Sequence, residues 1–231
     1  MNIRARGILG IRGIRTTVAA LAAAAGVAAV AVPAAAATAP ASAEPRFLEP
    51  ADLPPHPASA WYAGPVTAGR PDPLPVCVGD ALPSIATHRS YWTEFDTSAQ
   101  QITVVERSER RAEDFAALLR RDLADCAKKL MAKDPDLTAT GKNYGRLNVE
   151  EGAHVYGLHT ASAWGSSDIN LFSVGRDGTT VTIVRWGQMG TFQHAQVADF
   201  KKTTVTAVNK LYSRAQPPSG PLRPSPPSWP S

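Results

Sequence analysis

The sequence predicts an α+β fold of two layers, in which two helices pack on one face of an antiparallel sheet. Short runs rich in β-branched and aromatic residues alternate with turns that contain glycine or aspartate. Two longer segments instead repeat apolar residues every three or four positions, as a helix with one buried side does. The short connections between these segments favour an antiparallel sheet. Two cysteines, Cys77 and Cys126, add one predicted disulfide.

The first 43 residues have the three parts of a secretory signal peptide. An arginine-rich region ends at Arg15, an apolar run covers Val18–Val32, and the small residues Ala41-Ser42-Ala43 predict cleavage after Ala43. We therefore expect a secreted protein with no stable membrane anchor after cleavage. In the alternative, this segment stays uncleaved and tethers the protein to the membrane, although its apolar run is shorter than the roughly 20 residues that span a bilayer.

The positive charge of the chain belongs to this leader. The formal net charge is +4, and residues 1–43 contain four arginines and no acidic residue. Removing these four arginines from the chain's 24 basic residues leaves 20, equal to its 20 acidic residues. A neutral mature protein gives no indication of a nucleic-acid partner or of binding to an anionic membrane surface. The bias toward alanine, arginine, proline and glycine is typical of a high-GC bacterium.

Proline content divides the mature chain into three parts. Nine prolines lie in residues 44–75 and seven in residues 215–231, whereas residues 76–214 hold only two. Proline fixes the backbone and lacks the N–H group that a sheet needs. We therefore expect a proline-rich N-terminal strap over 44–75, a folded α+β domain over 76–214 and a disordered tail over 215–231. Apolar residues of the strap are available to pack onto the domain.

Six strands and two helices are expected in the order ββ-α-ββββ-α. The first helix covers Ser108–Ala132, with Ser108 as its N-cap and Asp134-Pro135 as its stop. The second helix covers residues 197–212. Asp177-Gly178 between two β-rich runs is the strongest hairpin signal in the chain. The strands are expected at Arg89–Asp96, Gln101–Glu106, Tyr144–Val149, His154–Thr160, Ile169–Val174 and Thr179–Trp186.

An even number of cysteines in an exported chain predicts a disulfide between Cys77 and Cys126. This bond would join the buried stripe of the first helix to the segment that enters the first strand. Closing a loop of about 50 residues stabilises a protein by about 4 kcal/mol on the chain-entropy model. Two cysteines without a nearby histidine do not make a zinc site, so no metal is expected.

The sequence contains no assembled catalytic motif. His154 and His159 fall in one predicted strand, and their spacing of five places them on opposite faces. Neither a G-x-S-x-G elbow nor a glycine-rich phosphate loop occurs. We therefore expect no enzyme activity, no catalytic residue and no cofactor. In one alternative, a secreted hydrolase combines either histidine with Glu151 or Asp168. In another, a protein-binding, inhibitor-like module displays the turn 165–168.

Aromatic residues are a more suggestive feature than the histidines. Trp92, Trp164 and Trp186 lie in or beside predicted strands. If the helices cover one face of the sheet, these indoles can line a cleft on the other face. Such a cleft would bind a small molecule, a glycan or a protein by stacking and through the indole N–H groups. The alternative is that the indoles belong to the core or are covered by the strap.

Three stretches resemble a known family, the extracellular sensor domains of actinobacterial Ser/Thr kinases of the PknH type and their stand-alone secreted relatives. The stretches are residues 100–130 (QQITVVERSERRAEDFAALLRRDLADCAKKL), 167–190 (SDINLFSVGRDGTTVTIVRWGQMG) and 197–212 (VADFKKTTVTAVNKLY). The resemblance implies a disulfide-bonded α+β domain outside the membrane that binds a ligand without catalysis. The kinase-linked domains typically carry two disulfides and this chain has two cysteines. The implied role is therefore that of a stand-alone, non-enzymatic, ligand-binding or sensor-like module.

Overall fold

The computed structural model describes residues 44–163 and 165–212. The predicted signal peptide (1–43), the predicted tail (215–231) and Trp164 lie outside the described residues. Within these limits, no helix is both long and apolar enough to cross a membrane.

The described residues contain one antiparallel sheet of eight strands. Seven of these strands lie side by side in the order β1-β3-β4-β8-β7-β6-β5, and β2 also pairs with β3. The sheet and the α+β class are as predicted, and the two short strands in the strap are additional. The strands are β1 (Tyr62–Ala63), β2 (Thr67–Ala68), β3 (Thr87–Trp92), β4 (Ser98–Val105), β5 (Leu137–Leu147), β6 (Ala153–Ser162), β7 (Ser167–Asp177) and β8 (Thr180–Met189).

The predicted first helix is present as two shorter helices. They are α1 (Glu109–Ala124) and α2 (Cys126–Lys133), separated by Asp125. The Asp125 N–H donates to the carbonyls of both Arg121 and Leu123 at this break. The Ser108 side chain accepts the N–H of Arg111 and caps α1 as predicted. The third helix is α3 (Val197–Asn209), and short 3₁₀ helices cover Pro50–Asp52, Gly79–Ala81 and Phe192–His194.

Helices α1 and α2 pack on one face of the sheet, and α3 packs on the other. Along β8, Ile183 belongs to the apolar cluster that includes α1, whereas its neighbour Val184 belongs to the cluster that includes α3. Successive residues of a strand point to opposite faces, so the two clusters lie on opposite sides. We call these sides the α1 face and the α3 face. The expected two-layer arrangement with both helices on one face is therefore corrected to three layers.

The composition of the central strands explains the third layer. In β7, the consecutive residues Leu171 and Phe172 are both fully buried. A strand with apolar side chains on both sides needs cover on both faces of the sheet. Gly175 permits α3 to approach closely, because a Cβ atom at this position would lie 2.3 Å from a methyl carbon of Val208.

The strap adds cover to the α3 face. Leu48 is fully buried in the same apolar cluster as α3. Its N–H donates to Oε1 of Gln101 at 2.7 Å, and its carbonyl accepts the Tyr91 hydroxyl at 2.8 Å. The Thr203 hydroxyl of α3 donates to the carbonyl of Asp52 at 2.6 Å. The strap is therefore hydrogen-bonded both to the sheet and to α3, and it belongs to the folded unit.

The predicted disulfide between Cys77 and Cys126 is present, with a Cα–Cα distance of 5.4 Å. Cys126 is the first residue of α2 and is buried. Cys77 follows the segment 72–76, in which the apolar residues Leu74 and Val76 alternate with prolines. The bond therefore fastens this segment to the α1 face, beside the start of α2.

Candidate ligand-binding groove

A groove lies on the α1 face next to the disulfide-linked segment 72–76. It consists of two neighbouring cavities with volumes of about 500 and 450 Å³, which share Val76, Ser98 and Arg185 as lining residues. Both volumes fall within the range of about 300–1,000 Å³ that is usual for small-molecule sites. Leu130 and Leu137 contribute apolar surface to the first cavity, and segment 72–76 lines the second.

One row of residues crosses the sheet beneath the groove. The strand registers place them directly opposite one another, so their side chains share the α1 face. This row contains a glycine at position 187, where a Cβ atom would lie 2.5 Å from Oδ1 of Asn170 and 3.0 Å from Nη2 of Arg185. Glycine thus leaves the space that these two side chains occupy. The row is Trp92, Ser98, Gly187, Asn170 and Leu158.

Arg185 is the one side chain with a permanent positive charge that lines both cavities among the described residues. Its Nε donates to Oδ1 of Asn170 at 2.9 Å, and no described carboxylate lies within 4.0 Å of its nitrogens. Partial burial lowers the pKa of Arg185, and the charge of Asp168 opposes that change. The group stays charged because an arginine pKa is far above neutral. A partly buried guanidinium without an ion partner favours an incoming anion.

Two carboxylates also line the first cavity, Asp96 and Asp168. Oδ2 of Asp96 accepts the backbone N–H of Met189 at 2.7 Å, so this carboxylate already has a structural role. Asp168 is beyond ion-pair distance of Arg185 but close enough to affect its pKa. The first cavity is therefore lined by one positive and two negative side chains, and one of the carboxylates already has a backbone partner.

The predicted tryptophan residues do not meet in one cleft. Trp92 lines the second cavity and is 47% exposed, whereas Trp186 is fully buried in the cluster of the α3 face. Trp186 lies opposite Ala99, which in turn lies opposite Tyr91 and not Trp92. Because Tyr91 and Trp92 are consecutive, they point to opposite faces. Trp186 is thus a core residue, which corrects its predicted place in a ligand cleft, and Trp164 lies outside the described residues.

Arg185, Asn170 and Gly187 were not selected by the sequence analysis. Arg185 interrupts the otherwise apolar and β-branched run Thr180–Trp186, and this is the signal that could have identified it. Asn170 interrupts β7 in the same way. Only the register between β7 and β8 brings these two polar residues together, since it places Asn170 opposite Gly187.

The two histidines of β6 lie on opposite faces, as their spacing predicts. His154 lies near Arg120 and Arg146, and burial together with these two charges lowers its pKa. His159 instead has its Nε2 2.9 Å from the hydroxyl of Ser167. Among the hydrogen bonds of the described residues, none joins either imidazole to a carboxylate. In the part of the chain that the structure describes, neither imidazole is therefore hydrogen-bonded to Glu151 or Asp168.

The turn 165–168 is organised by hydrogen bonds to the end of β6. The hydroxyls of Ser162 and Ser166 lie 2.8 Å apart, and the Gly165 N–H donates to the carbonyl of Ser162 at 3.1 Å. Gly165 has a φ of +95°, a conformation that glycine adopts readily. The last residue of the turn, Asp168, lines the groove, so the turn borders the same surface.

The groove offers charge, hydrogen bonds and an aromatic surface. Arg185 can pair with an anion, Ser98 and Gln100 can bind hydroxyl or carbonyl groups, and Trp92 can stack on a ring. No group of three or more metal-ligating side chains occurs among the residues that the structure describes. The chain matches no model of a known protein family and no curated protein.

Proposed function

We propose that the protein is a secreted, non-enzymatic, ligand-binding module, similar in role to an extracellular sensor domain, and that it holds its ligand in the groove. One observation carries the proposal. Arg185 lies where the two cavities meet, and none of the described carboxylates is within 4.0 Å of it. A partly buried cation is costly unless it gains a partner, so the site favours a ligand with a negative group.

The groups around Arg185 support binding over chemical transformation. Asn170 fixes the guanidinium through one hydrogen bond, which leaves the Nη atoms for a ligand. Neither histidine of β6 is among the residues that line the two cavities, so the groove lacks an imidazole base in the part of the chain that the structure describes. Fixed donors without a paired base and nucleophile hold a ligand in one orientation.

Location outside the cytoplasm is supported by two independent features. The leader over 1–43 has the pattern of an export signal. The Cys77–Cys126 disulfide requires an oxidising compartment to persist, as is usual for exported proteins. The same disulfide fastens the segment that lines the second cavity, so the complete groove depends on an oxidised protein.

Thermal denaturation in the presence of small anions tests this function. The full chain, with its disulfide formed, would be compared with Arg185→Gln and with Arg107→Gln, a matched control that removes the same charge from an exposed site outside the groove. We expect citrate, phosphate or a related anion to raise the Tm of the wild type and of the control. In Arg185→Gln the affinity should fall by about tenfold or more, because a charge-assisted hydrogen bond is lost. Equal binding by all three proteins would contradict the proposal.

A further inference from the structure

Tyr62 and Trp92 form an exposed aromatic shelf at one end of the groove. They are directly paired between β1 and β3, so both side chains extend from the α1 face. Their ring planes differ by 21° and their ring centroids are 6.3 Å apart. The side chains remain 41% and 47% exposed, respectively. The shelf therefore presents two nearly parallel aromatic rings to solvent, and Trp92 continues into the second cavity.

The shelf is held in place by its surroundings. The Tyr62 hydroxyl donates to Oε1 of Glu94 at 3.0 Å. The preceding residue, Trp61, packs instead with the cluster of the α3 face, and its Nε1–H donates to the carbonyl of Pro54 at 2.7 Å. Trp61 thereby anchors the strand that carries Tyr62. Because the rings are positioned before a ligand arrives, less conformational entropy is lost on binding.

Polar side chains surround Trp92 in the second cavity. Ser90 and Gln100 lie on its floor, where Nε2 of Gln100 donates to the Ser90 hydroxyl at 3.4 Å, and Asp72 lies in its wall. A pyranose ring has two faces of C–H groups and a rim of hydroxyls. The electron-rich face of an indole attracts such C–H groups. Hydroxyls pair with amide, carboxylate and hydroxyl side chains. The aromatic shelf and the second cavity together therefore fit a sugar.

Arg185 adds a positive charge to the same cavity. It belongs to β8, two strands away from Trp92 in β3, which corresponds to a separation of about 10 Å across the sheet. A short oligosaccharide spans this distance. A neutral sugar would leave the guanidinium without an ion partner, whereas a carboxylate matches its planar pair of donors.

We propose that the groove binds an acidic carbohydrate, with a sugar ring stacked on the aromatic shelf and a carboxylate paired with Arg185. The inference rests on the function proposed above and specifies its ligand class. A protein partner is the less suitable occupant, because the shelf is bordered by a cavity whose floor and wall carry Ser90, Gln100 and Asp72. These polar groups can bind the hydroxyls of a sugar that enters the cavity.

Calorimetric titration of the full chain, with its disulfide formed, tests the inference. The ligands are trigalacturonate, the carboxyl-reduced form of the same trisaccharide, a hyaluronan tetrasaccharide and citrate. We expect at least one of the two acidic oligosaccharides to bind more tightly than both the carboxyl-reduced sugar and citrate. Trp92→Ala should weaken binding of that oligosaccharide by about tenfold, the effect of losing an aromatic stacking contact, and leave citrate unchanged.

Two further variants make the result specific. Trp92→Phe retains an aromatic face and should keep part of the affinity, which separates stacking from a general loss of structure. Phe95→Ala is the matched control, because Phe95 is 56% exposed but stacks on His56 and not on the shelf. Its affinity for the oligosaccharide should equal that of the wild type.

The possible outcomes separate this inference from the proposed function. If citrate binds through Arg185 while neither acidic oligosaccharide binds, the carbohydrate inference is overturned and the proposed function stands. If the acidic and carboxyl-reduced sugars bind equally, or if Trp92→Ala binds as tightly as the wild type, the inference is also overturned. If none of the four ligands binds, the inference is overturned, and the screen of small anions decides the proposed function separately.

Discussion

Two positions in the sheet, Trp186 on the α3 face and Trp92 on the α1 face, differ in how completely the rest of the chain covers them, and this difference decides the role of similar residues. Trp186 on the α3 face is fully buried beneath cover that includes α3 and the strap. Trp92 on the α1 face is 47% exposed at the end of the groove. Both are tryptophans in strands of one sheet. Residue type therefore does not decide whether a tryptophan is buried or accessible here, and the cover that the rest of the chain supplies does.

Polar residues show the same contrast. On the α3 face, Gln101 is fully buried, and its side chain bonds both the Leu48 N–H and the Thr182 hydroxyl. On the α1 face, Arg185 bonds Asn170 through Nε and lacks an ion partner among the described residues. On the α3 face the polar group fastens the strap, whereas in the groove the Nη donors of Arg185 have no ion partner among the described residues.

The largest difference in the free energy of unfolding should appear between two single variants, each of which truncates one tryptophan. Trp186→Ala should lower the free energy of unfolding by about 3–5 kcal/mol, because it leaves a large cavity in the core. Trp92→Ala should lower it by only about 1 kcal/mol, because the half-exposed ring loses its cross-strand contact with Tyr62 but leaves no buried cavity. Urea denaturation measures both values.

Trp186→Phe provides the control for this pair. The Nε1–H of Trp186 has no hydrogen-bond acceptor among the described residues, so its loss removes no hydrogen bond. This variant should therefore be more stable than Trp186→Ala. Equal destabilisation by Trp186→Ala and Trp92→Ala would contradict the distinction between a buried core position and a half-exposed position in the groove.

Removal of the disulfide should have the next largest effect on the free energy of unfolding. In the double variant Cys77→Ala/Cys126→Ala, the free energy of unfolding should fall by up to about 4 kcal/mol, because the unfolded chain regains the entropy of an open loop. The affinity for anions should also fall, since segment 72–76 lines the second cavity and is no longer fastened to α2. Reducing agent should destabilise the wild type similarly and leave the double variant unchanged. A double variant as stable as the wild type would argue against this role of the disulfide.

Replacing one of two adjacent glutamines compares the faces directly. Gln101→Leu should lower the free energy of unfolding by about 1–3 kcal/mol, because the buried N–H of Leu48 loses its acceptor. Gln100→Leu, on the α1 face, should lower the free energy of unfolding by about 0.5 kcal/mol or less. Only Gln101→Leu should make the strap more sensitive to limited proteolysis. The opposite order of stabilities would show that the strap is not fastened through Gln101.

Signals from residues close together in the sequence were sufficient to predict several structural features. Ser108 predicted the start of α1 because its hydroxyl accepts a backbone N–H three residues later. Asp177-Gly178 predicted the turn between β7 and β8, where Gly178 has a φ of +53°. The count of two cysteines was sufficient to predict the disulfide. Each of these signals depends on residues near in sequence or on a single possible pairing.

Local signals could not predict on which face of the sheet α3 packs. They also could not predict which residues line the groove. The apolar residues of β7 and β8 indicate that both faces are buried, but they do not say which segment covers which face. Arg185 and Asn170 are brought together by strand register, and neither carries a motif. Trp92 was selected for its residue type, and its partner Tyr62 comes from the strap. These features depend on contacts between distant segments.

The smallest effect should be the contribution of His154, on the α1 face, to the pH dependence of the free energy of unfolding. Burial and the charges of Arg120 and Arg146 lower the pKa of His154 in the folded protein. As the pH falls through the ordinary histidine value of about 6.5, the unfolded chain therefore takes up a proton that the folded protein resists, so the free energy of unfolding decreases. His154→Gln should lose less stability than the wild type between pH 7.5 and pH 5, as measured by the shift in Tm. Arg120→Gln should reduce the same dependence in part, and a His154→Gln profile parallel to that of the wild type would show that this histidine does not contribute.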